Sequence, residues 1–247
     1  MVKEQKDMPA SNLGMKDHIA LTEFCEDLKN LVGDQVRSVI LYGSSTRPDY
    51  KPGTSHKKIL VVVNNRNTDL LKKVAKPYYR AHLMGIDCEF ITKESMEAST
   101  DVFPIKYQSM KESYVVLRGE DVLQELKINR AHMRLRCEQE FRILSLKLEK
   151  HFLEHNGKDL KEMLIHVIGD FIETLRVAVL LQTDHMPKWE KAIEETVSTF
   201  KVDVEVLHQI IAVRDKKLKP GRKEFDLLYE QFLTFVEKMV NIVDKIK

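Results

Sequence analysis

Along residues 15–33 apolar positions return at helical spacing. Leu21, Phe24, Cys25, Leu28, Leu31 and Val32 share one face, and Gly33 is placed to end the helix. The period then shortens. "VRSVILY", residues 36–42, is rich in β-branched residues and stops at Gly43, which predicts a strand. "KILVVV", residues 58–63, is a nearly unbroken apolar run and predicts a central strand covered on both faces. Residues 68–84 return to a helical composition with a kink expected at Pro77, and "IDCEFI", residues 86–91, alternates as a strand does. The stretch 102–119, "VFPIKYQSMKESYVVLRG", is expected to add one or two further strands.

From Arg130 onward the pattern is helical throughout. Met133, Cys137, Phe141, Leu144, Leu148 and Phe152 form one stripe that closes at "HNG". Leu160, Met163, Leu164, Val167, Ile168, Phe171, Ile172, Leu175 and Ala178 form a second and broader stripe. Pro187 opens a third helix with Trp189, Ile193 and Val197, and residues 206–213 make a short fourth. A long last helix presents Phe225, Leu228, Phe232, Val236, Met239 and Val243. The fold class that follows is α+β: a mixed sheet with flanking helices, then an all-α bundle of about five helices. Expected boundaries are a flexible arm at 1–14, a sheet domain at 15–127 and a helical bundle domain at 128–247.

Composition narrows the partners. The 247 residues are 43% apolar and 32% charged, with a formal net charge of +2, so no global field favours a nucleic acid or a membrane surface. The basic run "RDKKLKPGRK", residues 214–223, has no interleaved aromatics for base stacking and reads as an interhelical loop, so nucleic acid is not an expected partner. Cys25, Cys88 and Cys137 are odd in number and set in apolar patterns, as buried thiols in a reducing compartment are. No apolar run reaches the length needed to span a bilayer and residues 1–20 lack a signal-peptide core, so a cytoplasmic location is expected.

The chemistry concentrates in residues 41–63, "LYGSSTRPDYKPGTSHKKILVVV". A Gly at a sharp turn lets backbone N–H groups approach a phosphate, and a Ser hydroxyl beside it can bond the same oxygens. Gly43, Ser44 and Ser45 stand at such a turn, with Arg47 and Lys51 in the loop beyond it. The Gly43-Ser44 strand end, the loop "RPDYKPGTS" and the strand "ILVVV" resemble the nucleotidyltransferase superfamily with the DNA polymerase β-like fold, in the branch of kanamycin nucleotidyltransferase and the minimal nucleotidyltransferases. That resemblance covers residues 15–127, and a helical domain after the sheet is usual in the family.

In that family the second strand opens with Asp-x-Asp, because carboxylates at i and i+2 point to one side of a strand and can hold a pair of divalent ions. Here His56 and Lys58 take the two positions, with Lys57 between them directed to the other side. A lysine and a divalent ion about 4 Å apart would repel by about 8 kcal/mol at an effective dielectric near 20. Asp87 and Glu89 alternate onto one face of their strand and are candidate residual acids. The resemblance also places acids in the stretch reading "FPIKYQSMKE", where Lys106 and Ser109 stand.

The expected function is that of a nucleotidyltransferase-like pseudoenzyme that has lost metal-dependent transfer and serves as a nucleotide-binding or partner-binding module. Its nucleotide-contacting candidates are Gly43, Ser44, Ser45, Arg47 and Lys58; no metal ligand and no cofactor are expected. Candidate partners are a nucleoside triphosphate, a protein and a second copy of the chain. Two alternatives stand beside it. One is an active transferase that uses Asp49, Asp87 or Glu89 as unorthodox ligands for Mg²⁺ and moves a nucleoside monophosphate to a small molecule or protein; the other is an interaction protein acting through the helical bundle.

Overall fold

A computed structural model describes residues 13–48, 50 and 56–246. Those residues fall into two compact units, the first holding the chain up to Thr100 together with Lys106–Ile128, the second Asp101–Ile105 and the chain from Asn129.

The first unit is built on a four-stranded sheet, β1 (Val36–Tyr42), β2 (Lys57–Val63), β3 (Ile86–Thr92) and β4 (Tyr114–Gly119), in the order β3-β2-β1-β4. β1 is antiparallel to both β2 and β4, whereas β2 and β3 run parallel. The parallel pair is connected by the helix α2 (Thr68–Leu83), the crossover that such a pair requires. Asn67 caps α2, its side chain accepting from the Leu70 amide, and Pro77 is buried within the same helix.

Both sheet faces are covered, which is why β2 reads as an apolar run. Val39, Leu41, Ile59, Val61 and Val63 pack with Leu21, Phe24 and Leu28 of α1 (Met15–Val32) and with Leu70, Val74 and Ala81 of α2. Ile40, Tyr42, Leu60 and Val62 pack on the opposite side. There they meet Met96 of α3 (Lys93–Ala98), Tyr107 and Met110 of α4 (Pro104–Glu112), and Leu123. The segment expected to be one or two strands is therefore a helix followed by a strand. Pro104 opens that helix, where its missing N–H costs no hydrogen bond, and Tyr107 and Met110 give it a buried face at i, i+3 spacing.

The second unit contains α5 (Arg130–Glu154), α6 (Leu160–Thr183), α7 (Ala192–Phe200), α8 (Glu205–Arg214) and α9 (Arg222–Val243). Its interior holds the edge-to-face rings of Phe141, Phe171 and Phe232, with centroids 5.4 and 5.0 Å apart in successive pairs. Tyr229 donates its buried hydroxyl to the Leu148 carbonyl at 2.7 Å, joining α9 to α5.

Candidate functional site

The site forms where β1 ends and β2 and β3 begin. Gly43 leaves β1 with φ +82° and ψ −151°, a backbone conformation that a side chain strains. Its amide donates to the Ser113 carbonyl at 3.1 Å, and a single 3-10 turn, Ser44–Thr46, follows. The Thr46 hydroxyl lies 2.8 Å from the Gly43 carbonyl and 2.6 Å from Ser113 Oγ, which ties the turn to the start of β4. The Arg47 amide then donates to the Ser44 carbonyl at 3.1 Å. Ser45 is 2% exposed, and its hydroxyl has no hydrogen-bond partner among the described residues.

Sheet register decides which side chains meet this turn. Tyr42 lies opposite Lys58 on β2, and Lys58 lies opposite Asp87 on β3; Glu89 is two residues along the same face. Lys58 is exposed, makes no ion pair among the described residues, and lays its stem beside the turn: a Cβ on Gly43 would stand 4.0 Å from its Cδ. Lys57 points the other way and is 4% exposed. Its ammonium donates to Asp17 Oδ1 at 2.7 Å and to the Met84 carbonyl at 3.0 Å, fastening β2 to α1 and to the end of α2.

His56 does not join Lys58. Its ring sits edge-on to that of His82 at the end of α2, centroids 6.2 Å apart, and near the backbone of Gly85. The position matching the first family aspartate is thus turned toward α2, and only the second faces the cleft. Asp49 and Lys51 lie outside the described residues.

Glu89 is already engaged. Lys106 of α4 forms a close ion pair with its Oε2, and the Tyr42 hydroxyl donates to its Oε1 at 3.4 Å. Burial, and then the charges of Glu89 and Asp87, push the Tyr42 hydroxyl far above the usual phenol value, so it stays a donor. Across β1, the Tyr114 hydroxyl contacts both oxygens of Asp121 at 3.0 and 2.9 Å; burial and this carboxylate push Tyr114 up to about 12. Neither Lys106 with Glu89 nor Tyr42 with Glu89 could be read from alternation along one strand.

These residues do not fit the pair of divalent ions that the family resemblance implies. One Asp-x-Asp position carries an ammonium, the other is directed away, and one of the two nearby carboxylates is held by Lys106. No group of three or more His, Cys, Asp or Glu side chains among the described residues is placed to hold a metal ion. What remains is a glycine turn flanked by an exposed lysine that makes no ion pair among the described residues, an arrangement suited to a phosphate oxygen. No helix among the described residues is long and apolar enough to cross a membrane.

No protein-family model matches the chain, and no curated protein sequence does. Among solved structures it is similar to spectinomycin adenyltransferase AAD(9) from Enterococcus faecialis, crystallised with ATP and spectinomycin. That likeness has a TM-score of 0.58 at 12% identity and covers 92% of this chain and 99% of the other. At so low an identity the likeness is one of architecture, and it shows that this chain has the fold of the nucleotidyltransferases.

Proposed function

We propose that this protein binds a nucleoside triphosphate in the cleft beside Gly43 and does not carry out two-metal nucleotidyl transfer. The observation that carries the reading is Lys58: an exposed ammonium without an ion-pair partner among the described residues, its stem against the glycine turn, on the face where a metal-binding acid would stand. The similar adenyltransferase was solved with ATP, which supports a nucleotide as the occupant of this fold's cleft. Gly43, Ser44, Ser45 and Arg47 form the proposed cradle, and Lys58 supplies the charge.

Two measurements on the purified chain test this. Titration calorimetry with ATP, GTP, CTP and UTP should give saturable heat with at least one of them. A labelled triphosphate incubated with Mg²⁺ or Mn²⁺ should leave no nucleoside monophosphate on the protein or on small hydroxyl acceptors. Transfer that disappears in Ser44→Ala would overturn the proposal in favour of an active transferase.

A second reading, in which the helical unit takes a protein partner or a second copy, is favoured by one observation. Leu135, Leu146 and Leu153 of α5 are 48%, 64% and 78% exposed, and their separations of eleven and seven residues set them within about 20° of one line on the helix. Light scattering of the parent and of Leu146→Glu/Leu153→Glu tests the self-association form of it; equal masses at a monomer value would dispose of the dimer.

A further inference from the structure

The unfitness of this cleft for metal has a consequence for the form of its ligand. Nucleoside triphosphates in Mg²⁺-containing solution carry the ion on their phosphate chain, and a site with free carboxylates draws that ion in. Here the carboxylate nearest α4, Glu89, has an internal counter-ion in Lys106 and a hydrogen bond from Tyr42. Asp87 is left opposite Lys58 in the sheet register, so the one cleft-facing acid without a partner among the described residues is paired across the strands with a lysine. Strand alternation keeps Lys58 on the cleft face of β2, since Lys57 and Ile59 take the opposite face and Leu60 fills the core beside it.

Resting on the nucleotide-binding reading above, we infer that the cleft takes the metal-free polyphosphate chain and that Mg²⁺ competes with the protein for it. The Lys58 ammonium takes the position from which a divalent ion would neutralise the phosphates. A divalent ion on the same phosphates lowers their negative charge and adds a repulsion against Lys58, so both changes oppose binding. Two-metal sites show the reverse order, since their carboxylates are uncompensated until the metal arrives.

The experiment is calorimetry with ATP as the probe, in excess EDTA and then in Mg²⁺ sufficient to saturate the nucleotide, at one ionic strength so that screening is the same in both. The expected result is tighter binding in EDTA, by about tenfold or more, with Lys58→Ala weakening the metal-free affinity by about ten- to a hundredfold. Lys58→Asp should bind more weakly still in EDTA and lose the inhibition by Mg²⁺. Lys58 is exposed, so circular dichroism and melting temperature should stay at the parent values in both variants. Equal or tighter binding in Mg²⁺ overturns the inference while leaving nucleotide binding intact. Absence of heat in both buffers with ATP, GTP, CTP and UTP alike overturns the nucleotide reading itself, and the inference with it; where only another of the four binds, the same comparison of buffers is made with it.

Discussion

Changing Lys57 to Met is expected to lower the melting temperature sharply, whereas changing its neighbour Lys58 to Met should leave it nearly unmoved. The Lys57 and Asp17 side chains are 5% and 15% exposed and meet at 2.7 Å, with the Met84 carbonyl accepting a second hydrogen bond. At an effective dielectric near 20 the gross attraction at that distance is about 6 kcal/mol, and much of it offsets the cost of removing both ions from water. What the native state loses when one partner goes is larger than the net worth of the pair, about 3–5 kcal/mol, because the survivor stays buried and uncompensated. Lys57→Met falls at the lower end, since Asp17 retains some solvent, and Asp17→Ala at the upper end, since the ammonium is left almost wholly enclosed. For a chain of this length each kcal/mol is worth about 2–4 °C, so Lys57→Met should melt about 6–12 °C below the parent. Thermal unfolding followed by circular dichroism gives the shifts, and the double variant Asp17→Ala/Lys57→Met should melt above Asp17→Ala alone. A Lys57→Met protein within about 2 °C of Lys58→Met, or a double variant as unstable as the two losses added, would refute the assignment of Lys57 to structure and Lys58 to the cleft.

Three further outcomes follow from single contacts. Gly119→Ala should fail to accumulate as folded protein or melt far lower, because φ is +86° and a Cβ would stand 1.9 Å from the Arg37 carbonyl oxygen; a normal melting curve would contradict that geometry. Ser45→Ala removes a buried hydroxyl that has no partner among the described residues and should raise stability by about 1 kcal/mol in the ligand-free protein, whereas a lowered melting temperature would show that the hydroxyl is satisfied. Burial pushes the Cys25 thiol up to about 11 and raises Cys88 and Cys137 well above their ordinary 9.0. Iodoacetamide at about pH 8 should therefore label all three only after denaturation. The same shifts have a stability sign: a folded pKa above the unfolded value gives stability that is intact below about pH 9 and declines as pH rises toward 11, because the unfolded chain releases protons that the folded chain keeps. Denaturant midpoints that stay level across that window would contradict it.

The layers of this fold were readable because each rests on a local period. Leu21, Phe24 and Leu28 are buried as the helical spacing of α1 requires, and the continuous run in β2 reflects cover on both faces. Leu31, assigned to the same face of α1, is 46% exposed, since the last turn of a helix need not follow the face of its middle. The region 102–119 holds a helix before its strand where composition predicts strands alone, because Val, Ile and Tyr around a Pro resemble a strand, while the buried pair Tyr107 and Met110 gives only two points of a helical stripe. Within the cleft, alternation correctly set Lys57 against Lys58 and joined Asp87 to Glu89. Partnerships across elements lay beyond it: Asp17 is 40 residues from Lys57, Glu89 is 47 from Tyr42, and His82 draws His56 out of the strand's alternation just where the strand begins.

A carboxylate cluster built for two divalent ions repels itself when those ions are absent, so its empty form carries a standing electrostatic cost. This cleft avoids that cost by an internal route. Lys106 neutralises Glu89, Tyr42 remains a protonated donor to the same group, and Lys58 stands opposite Asp87. The glycine turn is held independently of all of these, by the Gly43 amide on the Ser113 carbonyl and by the Thr46 and Ser113 hydroxyls. Shape and charge are therefore separable in this fold: the backbone frame of the turn is set by contacts that involve none of these charged groups. Lys106→Met separates the two experimentally. Freed of its counter-ion, Glu89 should disfavour a polyphosphate, so ATP affinity in EDTA should fall while the melting temperature, set by contacts away from this exposed pair, stays within about 2 °C of the parent. An affinity that rises instead would place the ligand's charge elsewhere in the cleft.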